Sequence, residues 1–361
     1  RHALLYLSGT TQDGWPMRTD ATLTLNSAAK SDSNRLLRRL LILSLLLLAS
    51  AGLSLYLGSF PTPPLQVLNA LAAPKSSDIA FIIWELRLPR ITLAILVGAA
   101  LAIAGAILQS IVRNPLASPD VIGITSGAAL AAVVFLSLLS STLSIHWLPV
   151  AAMLGALVSA LLVVSLAWKN GVSPSRMVLV GIGLAAAMGA GTTLLIVISD
   201  DSAAMTAYVW LTGSLYAAQW DDVWSLLPWL VVAVPISLLF ARHADAMALG
   251  DSVAEGLGVA ILRSRLVLLA CSVALAGAAV AFAGGLSFVG LIAPHLAARL
   301  VGRNMARLVP TSALVGALIV LYADLLGRVA FLPKDLPAGI FVAGIGAPFF
   351  VYLLHRSRAR F

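Results

Sequence analysis

Long apolar segments, separated by short polar stretches, run through most of this chain and restrict its fold more than any other feature. A helix that crosses a membrane needs about 20 mostly apolar residues. Only 11% of the residues are charged, against about 25% in a soluble domain. We therefore predict an all-α polytopic membrane protein with ten transmembrane helices. The predicted spans are residues 36–57, 88–110, 120–140, 147–167, 177–198, 223–241, 266–283, 287–301, 308–327 and 337–354.

The basic residues are distributed unequally between the two sides of these spans. Ten is an even number, so both termini lie on one side of the membrane. If that side is the cytoplasm, five of the 23 lysines and arginines fall outside, in agreement with the enrichment of Lys and Arg in cytoplasmic loops. The five are Lys75, Arg87, Arg90, Arg328 and Lys334. This orientation accounts for the net charge of +8, so we predict no nucleic-acid partner.

Two polar tails flank the membrane part. Residues 1–35 are polar and lack apolar periodicity, which predicts a mobile cytoplasmic tail. Residues 355–361 form a short basic tail on the same side. The segment after the first tail resembles a secretory signal, but its apolar stretch is longer than the roughly 7–15 residues of a signal core. We therefore predict that it is retained and that residues 36–354 form one transmembrane domain.

Arginines lie at the outer ends of two spans. Arg87 and Arg90 are three residues apart at the start of the second span, so they share a helix face. Arg328 lies at the outer end of the ninth span. Such side chains can anchor a helix to lipid phosphates or pair with Glu85 and Asp324. They also suit a docking surface for an acidic protein, because planar guanidinium groups bind carboxylates with two parallel hydrogen bonds. The residues alone leave both interpretations open.

The inner loop between the sixth and seventh spans, residues 248–258, predicts a very short helix. Ser252 and Glu255 have the spacing of a capping box, in which each side chain accepts a hydrogen bond from the other residue's backbone amide. Gly256 and Gly258 can end the helix immediately afterwards. A short rigid helix on the inner surface either turns the chain or gives a partner protein something to push on.

Residues 113–120 (Arg-Asn-Pro-Leu-Ala-Ser-Pro-Asp) predict the end of one helix and the start of the next. Pro115 ends the second span. Ser118 can cap the third, Pro119 suits its first turn, and Asp120 complements the positive end of a helix. These roles are structural and assign no chemistry to the segment.

The sequence lacks the motifs that would make this chain an enzyme. None of its lysines follows the glycines of a phosphate-binding loop, and neither a metalloprotease helix motif nor a Cys-His cluster occurs. Cys271 lies alone in an apolar run, which predicts a packing role. His295 is also isolated, and a single ring cannot form a haem or metal site. We predict no catalytic residue, no cofactor and no metal, and that any ATP is hydrolysed by a partner.

Several motifs in sequence order resemble the FecCD-type permease family, the membrane subunits of ABC importers for ferric siderophores, haem and cobalamin. The resemblance covers about residues 36–354. Its motifs are Arg-Leu-Pro-Arg at 87–90, the 113–120 segment, the run 287–295, Ala-Asp-x-x-x-Arg at 323–328, Asp-Leu-Pro-Ala-Gly at 335–339 and Gly-Ala-Pro at 346–348. The signature residues within them are Asn114, Pro115, Pro119, Pro294 and His295.

The resemblance implies an architecture and two contact sites. It implies a type II ABC importer permease that works as a dimer by alternating access, with the fifth and tenth spans and the region of Trp210 lining an apolar path. In the family, arginines at the positions of Arg87, Arg90 and Arg328 form salt bridges with glutamates of a periplasmic binding protein. The short inner helix resembles the family's coupling helices, which contact the ATPase. Its implied contact residues are Leu249, Gly250, Asp251, Ser252, Ala254, Glu255, Leu257 and Gly258.

The same resemblance implies the partners and the cargo. The partners are a second permease subunit, identical or paralogous, a cytoplasmic ABC ATPase dimer, and a periplasmic or surface substrate-binding protein, all at a bacterial inner membrane. The 113–120 motif and residues 210–215 resemble ferric-siderophore permeases most, so a ferric siderophore is the expected substrate, with haem or cobalamin as the alternative. An ion-coupled secondary transporter is a further alternative, but it needs ionisable residues near the middle of the bilayer, where Asp324 is the one plausible acid.

Overall fold

The computed structural model describes residues 17–58, 62–74, 77–168 and 173–358, with side chains from residue 34 onward apart from residues 354 and 356–358. Within these ranges the fold is entirely helical apart from turns and connecting segments. The helices are α1 (Met17–Tyr56), α2 (Pro64–Ala72), α3 (Asp78–Phe81), α4 (Leu88–Val112), α5 (Ile124–Val134), α6 (Leu148–Ala167), α7 (Pro174–Ile198), α8 (Asp201–Leu211), α9 (Trp220–Leu239), α10 (Ala241–Ala248), α11 (Asp251–Gly256), α12 (Ile261–Ala283), α13 (Val289–Val301), α14 (Met305–Val329) and α15 (Ala338–Arg358).

The chain divides into a unit of residues 1–42 and a unit of residues 43–361. In the first unit, residues 1–16 lie outside the described residues. The backbone is helical from Met17 onward, although the sequence predicted a polar tail without regular structure up to residue 35. Residues 17–35 contain neither Gly nor Pro, so no residue type in this stretch interrupts the helix. The two domain boundaries flanking the membrane part remain predictions.

A helix covers each of the ten predicted spans. Seven helical segments in the described part of the chain are long and apolar enough to cross a membrane. The remaining three predicted spans coincide with shorter apolar helices, Ile124–Leu139, Val289–Val301 and Ala338–Leu353. The prediction of an all-α polytopic protein is confirmed. The short helices α2, α3, α8 and α10 lie outside the predicted spans and connect them.

The eighth span shows how a short helix fits this architecture. At 1.5 Å per residue the 13 residues of α13 extend about 20 Å, less than the roughly 30 Å of the hydrocarbon layer. An irregular segment, 284–288, precedes it. Gly285 donates a backbone hydrogen bond to the Trp210 carbonyl (3.3 Å), and Ser214 donates one to the Ala283 carbonyl (2.9 Å). Irregular backbone at membrane depth requires such partners inside the protein.

Helix α4 is the central element of the second unit, with 17 of its 25 residues buried. Small residues allow this burial. Gly98 faces the backbone of Gly316 in α14, and Gly105 faces the backbone of Gly290 in α13, so closely that neither position has room for a Cβ atom. Membrane helices pack closely through such residues, because contact between backbones increases their van der Waals attraction.

Substitution of Gly105 by Val should prevent the contact between α4 and α13. We expect a lower melting temperature and a lower yield of folded protein, because overpacking costs about 1–3 kcal/mol and more where backbone must move. Thermal unfolding of the detergent-solubilised protein measures this. The control is Gly52→Val in α1, where an added Cβ meets no atom within 4 Å. Equal melting temperatures for the two variants would contradict the proposed packing.

Candidate functional site: charged clusters at the two ends of the bundle

The outer end of the bundle, named after the predicted orientation, contains a buried network of charged side chains. The outer network comprises Arg87, Arg90, Asp324, Arg328 and Asp335. The Arg90 Nε donates to Asp324 Oδ1 (2.8 Å), and its two terminal nitrogens donate to the two oxygens of Asp335 (2.5 and 2.9 Å). Arg90 therefore binds one carboxylate from α14 and one from the loop before α15, which is the two-pronged geometry that guanidinium groups favour.

The other two arginines connect the network to α1. The Arg328 Nε lies 3.1 Å from Asp324 Oδ2, one helical turn away, and a terminal nitrogen of Arg328 donates to the Ser54 hydroxyl. Arg87 donates to the Leu55 carbonyl (2.5 Å) and to Thr62 Oγ1 (3.3 Å). The network therefore holds together the outer ends of α1, α4 and α14.

The structure brings the three predicted docking arginines together, but it buries them. Arg87, Arg90 and Arg328 are 6–8% exposed, and each binds acceptors of its own chain. The alternative pairing of Arg328 with Asp324 is present. Sequence reasoning missed Asp335, whose side chain remains 26% exposed. No local pattern links it to Arg90, because the two residues are 245 positions apart.

The inner end contains the predicted short helix, which runs from Asp251 to Gly256. The predicted capping box is wrong. The helix begins one residue before Ser252, after Gly250, whose φ of +122° suits glycine, and its N-terminus has no side-chain cap. The predicted end is correct, because the helix stops at Gly256 and Gly258 adopts a positive φ of +80°.

The surface of this segment is apolar. Leu249, Val253 and Leu257 are 47–69% exposed. Ala254 is buried within the chain, so it cannot supply the partner contact expected from the sequence, whereas Val253 is exposed and available for such a contact. In this short helix Ala254 lies on the face that packs against the rest of the chain, whereas Val253 lies on the exposed face.

Two carboxylates fasten this segment to other helices. Asp251 accepts hydrogen bonds from Arg265 Nη2 (3.1 and 3.2 Å) and from Arg113 Nη2. Asp245 accepts hydrogen bonds from the Met305 amide (2.9 Å) and from the Asn304 side-chain amide (2.6 Å), both at the start of α14. Burial, and then repulsion by Arg265, lowers the pKa of Arg113. Burial raises the pKa of Asp245 against the opposing effect of the Met305 hydrogen bond.

The 113–120 motif forms the turn between α4 and α5. Arg113 adopts a left-handed conformation (φ +55°) that ends α4, and Asn114 Oδ1 accepts a hydrogen bond from the Leu116 amide (2.9 Å). The next helix begins at Ile124, later than the sequence predicted. Asp120 accepts a hydrogen bond from the Phe288 amide (3.3 Å). It therefore connects the motif to the start of α13 instead of capping its own helix.

Pro115 and Pro119 lie within this turn, and Pro119 is buried. The remaining signature residues lie within α13. Pro294 is buried inside the helix, and the ring of His295 contacts the Phe349 ring of α15 edge-on, with centroids 5.8 Å apart. No group of three potential metal ligands occurs among the residues that the structure describes. The ring contact with Phe349 packs His295 between α13 and α15.

Substitution of Asp324 by Asn should destabilise the protein strongly. Asp324 is fully buried and contacts two arginines, and removal of one partner from a buried ion pair costs about 3–5 kcal/mol because a charge is left uncompensated. Thermal unfolding in detergent provides the measurement. The control is Asp201→Asn, which removes an exposed carboxylate at the start of α8. Unchanged stability of the Asp324 variant would show that the outer network does not hold these helices.

Comparisons with known proteins agree with this architecture. The chain is 51% identical over 314 residues to the achromobactin transport system permease protein CbrC of Dickeya dadantii, covering 87% of this chain and 90% of that protein. It is 40% identical over 334 residues to the iron(3+)-hydroxamate import system permease protein FhuG of Bacillus subtilis, covering 91% and 99%.

The fold and the family model lead to the same assignment. A solved structure of a metal-chelate type ABC transporter in an inward-facing conformation superposes with a TM-score of 0.78 at 32% identity, covering 88% of this chain and 98% of that one. The model of the FecCD transport family matches residues 45–356. This chain belongs to the FecCD transport family.

Proposed function

We propose that this chain is the permease subunit of an ATP-driven, binding-protein-dependent importer that carries ferric siderophores across a bacterial inner membrane. The observation that carries the proposal is its 51% identity, over most of both chains, to a permease named for achromobactin transport. Other relatives are named for hydroxamate and ferric-citrate import. Haem and cobalamin are the alternative cargo.

The segment 248–258 supports an ATPase partner. Leu249, Val253 and Leu257 expose apolar side chains at the end of the bundle that we predict from the charge pattern to be cytoplasmic. Exposed apolar patches of this kind mark interaction sites. The sequence has no phosphate-binding loop of its own, so we propose that these side chains contact the subunit that hydrolyses ATP.

Helices α7 and α15 support pairing with a second permease subunit. Only four of the 25 residues of α7 are buried within the described chain: Met177, Gly181, Thr192 and Ile196. Much of α15 is also exposed. We propose that these faces meet their counterparts in a dimer, where an apolar path can form between the subunits. The second subunit is an identical copy or a paralogue.

The outer network supports docking of the binding protein, but not through three exposed arginines as the sequence suggested. Its three arginines and two aspartates (3 − 2) carry one net positive charge, and the Asp335 side chain is its partly exposed member. We propose that a glutamate of the binding protein approaches beside Asp335. Its carboxylate then contacts Arg90 and neutralises the one excess positive charge of the outer network. Buried arginines recognise a carboxylate strongly because little water competes with it.

The ion-coupled alternative is less well supported. Asp324, the one acid that the sequence placed within a span, contacts Arg90 and Arg328, and it lies five residues before the end of α14. A proton- or sodium-binding carboxylate should lie near the bilayer middle and be able to change its partner. Asp324 is instead held in a structural ion-pair network.

Uptake of radioiron-labelled siderophore into proteoliposomes with collapsed ion gradients tests the proposed function. ATP, the ATPase subunit and the loaded binding protein are each omitted in turn, and unlabelled haem or cobalamin is added as a competitor. We expect uptake to require all three components and to resist the competitors. Uptake that depends on an ion gradient, or that proceeds without ATP, would contradict the proposal.

Substitution of Leu257 by Asp should uncouple ATP hydrolysis from transport. A charged side chain cannot be buried in an apolar interface without a large desolvation cost, so we expect uptake per ATP hydrolysed to fall by about tenfold, the effect of a loss of roughly 1.4 kcal/mol. Parallel measurements of uptake and phosphate release test this. Leu143→Asp, in an exposed loop at the opposite end, is the control. Equal coupling in both variants would contradict the interface.

Substitution of Arg87 by Gln should weaken docking of the binding protein. Arg87 donates to a carbonyl and to a hydroxyl, so its charge can be removed without depriving either aspartate of Arg90 or Arg328. We expect the dissociation constant of the permease and the binding protein to rise about tenfold. Binding to the permease in nanodiscs is the measurement. The control is Arg263→Gln, which removes an exposed charge at the inner end of the bundle. Unchanged affinity would exclude Arg87 from docking.

A further inference from the structure

The short inner helix is attached to the rest of the bundle by two acidic side chains, one on each side of Leu249. Asp245 lies on α10, and Asp251 is the first residue of α11. Neither contact is local in sequence, because their partners lie on α4, α12 and at the start of α14. The segment is therefore fixed to three membrane helices.

Asp251 joins two of these helices. Both of its oxygens lie within 3.2 Å of Arg265 Nη2, in the first turns of α12, and it also binds Arg113. Arg265 is buried, whereas Asp251 is partly exposed. Arg113 is the residue whose left-handed conformation ends α4, so the end of α4 and the start of α11 meet at one carboxylate. Hydrogen bonds between ionised groups are about twice as strong as neutral ones.

Asp245 attaches the segment to the third helix, α14. One oxygen accepts from the Met305 amide (2.9 Å) and the other from the Asn304 side-chain amide (2.6 Å). Asn304 occupies the N-cap position of α14 but makes no capping hydrogen bond itself. Asp245 therefore supplies, from another helix, the carboxylate that a helix N-terminus favours.

The attached helices connect the two charged ends of the bundle. Helix α4 carries Arg90 near its start and Arg113 directly after its end, about 35 Å apart at 1.5 Å per residue for 23 residues. Helix α14 carries Met305 at its start and Asp324 near its end. The two helices pack along their length, with Gly98 against Gly316. A displacement of either helix therefore acts on both the inner attachment and the outer network.

We propose that Asp245 and Asp251 are positioning residues that transmit movement of the ATPase to the α4–α14 pair. This inference rests on the proposed function. Leu249 and Leu257 receive the displacement, and the two carboxylates prevent the segment from moving independently of the membrane helices. The displacement then reaches the outer network through close-packed helices. Helix α4 contains no proline between residues 90 and 112, and α14 contains one, Pro310, in its second turn, between Met305 and Asp324.

Two measurements on Asp251→Asn test this inference. The first is hydrogen–deuterium exchange of the amides of residues 249–258 in the permease alone, in nanodiscs. The second is siderophore uptake per ATP hydrolysed in the complete transporter. We expect exchange to rise and uptake per ATP to fall, each by about tenfold, as expected for loss of a charge-assisted hydrogen bond. ATP hydrolysis itself should continue, and Asp251→Glu should restore part of both properties.

Matched variants separate the possible outcomes. Arg265→Gln should reproduce both effects, whereas Arg263→Gln, on the exposed side of the same turn, should leave both unchanged. If Asp251→Asn does not fold, the same two measurements on Arg265→Gln test the inference. Faster exchange with unchanged uptake per ATP would overturn the transmission role, and unchanged exchange would overturn the attachment. The exchange measurement needs neither ATP nor a partner, so it remains decisive if the wild-type complex shows no ATP-dependent uptake and the proposed function fails.

Discussion

The close packing of α4 against α14 is the contact on which the rest of this structure depends. Gly98 and Gly316 face each other with no space for a side chain, and in a membrane such backbone proximity replaces the hydrophobic driving force available to soluble proteins. The same packing places Arg90 of α4 beside Asp324 of α14. Glycines that carry no chemistry thus determine where a buried ion pair forms.

Charged groups lie at both ends of this helix pair. At one end, the outer network includes the residues that the family resemblance assigns to binding-protein docking. At the other end, Arg113 and Met305 bind the acidic residues beside the exposed inner helix. Between these ends lie mainly apolar, buried side chains. In the proposed importer, docking and ATP hydrolysis are therefore connected through α4 and α14, which pack closely against each other.

The sequence predicted the ten spans well because hydropathy is a local property and a bilayer imposes one length on every span. It failed where partners are distant in sequence. Asp335 and Arg90 are 245 residues apart, so their pairing has no local signal. The Ser252 capping box failed because Asp251 begins the helix one residue earlier and binds two arginines that only the fold brings near. Burial of Arg90 was missed for the same reason.

The most direct measurement is the rate of ATP hydrolysis by the assembled transporter in proteoliposomes, with and without binding protein loaded with ferric siderophore. We expect the loaded binding protein, added only on the outer side, to raise the rate of hydrolysis on the inner side, because docking and the ATPase act on the same helix pair. A rate that is independent of the binding protein would contradict the account.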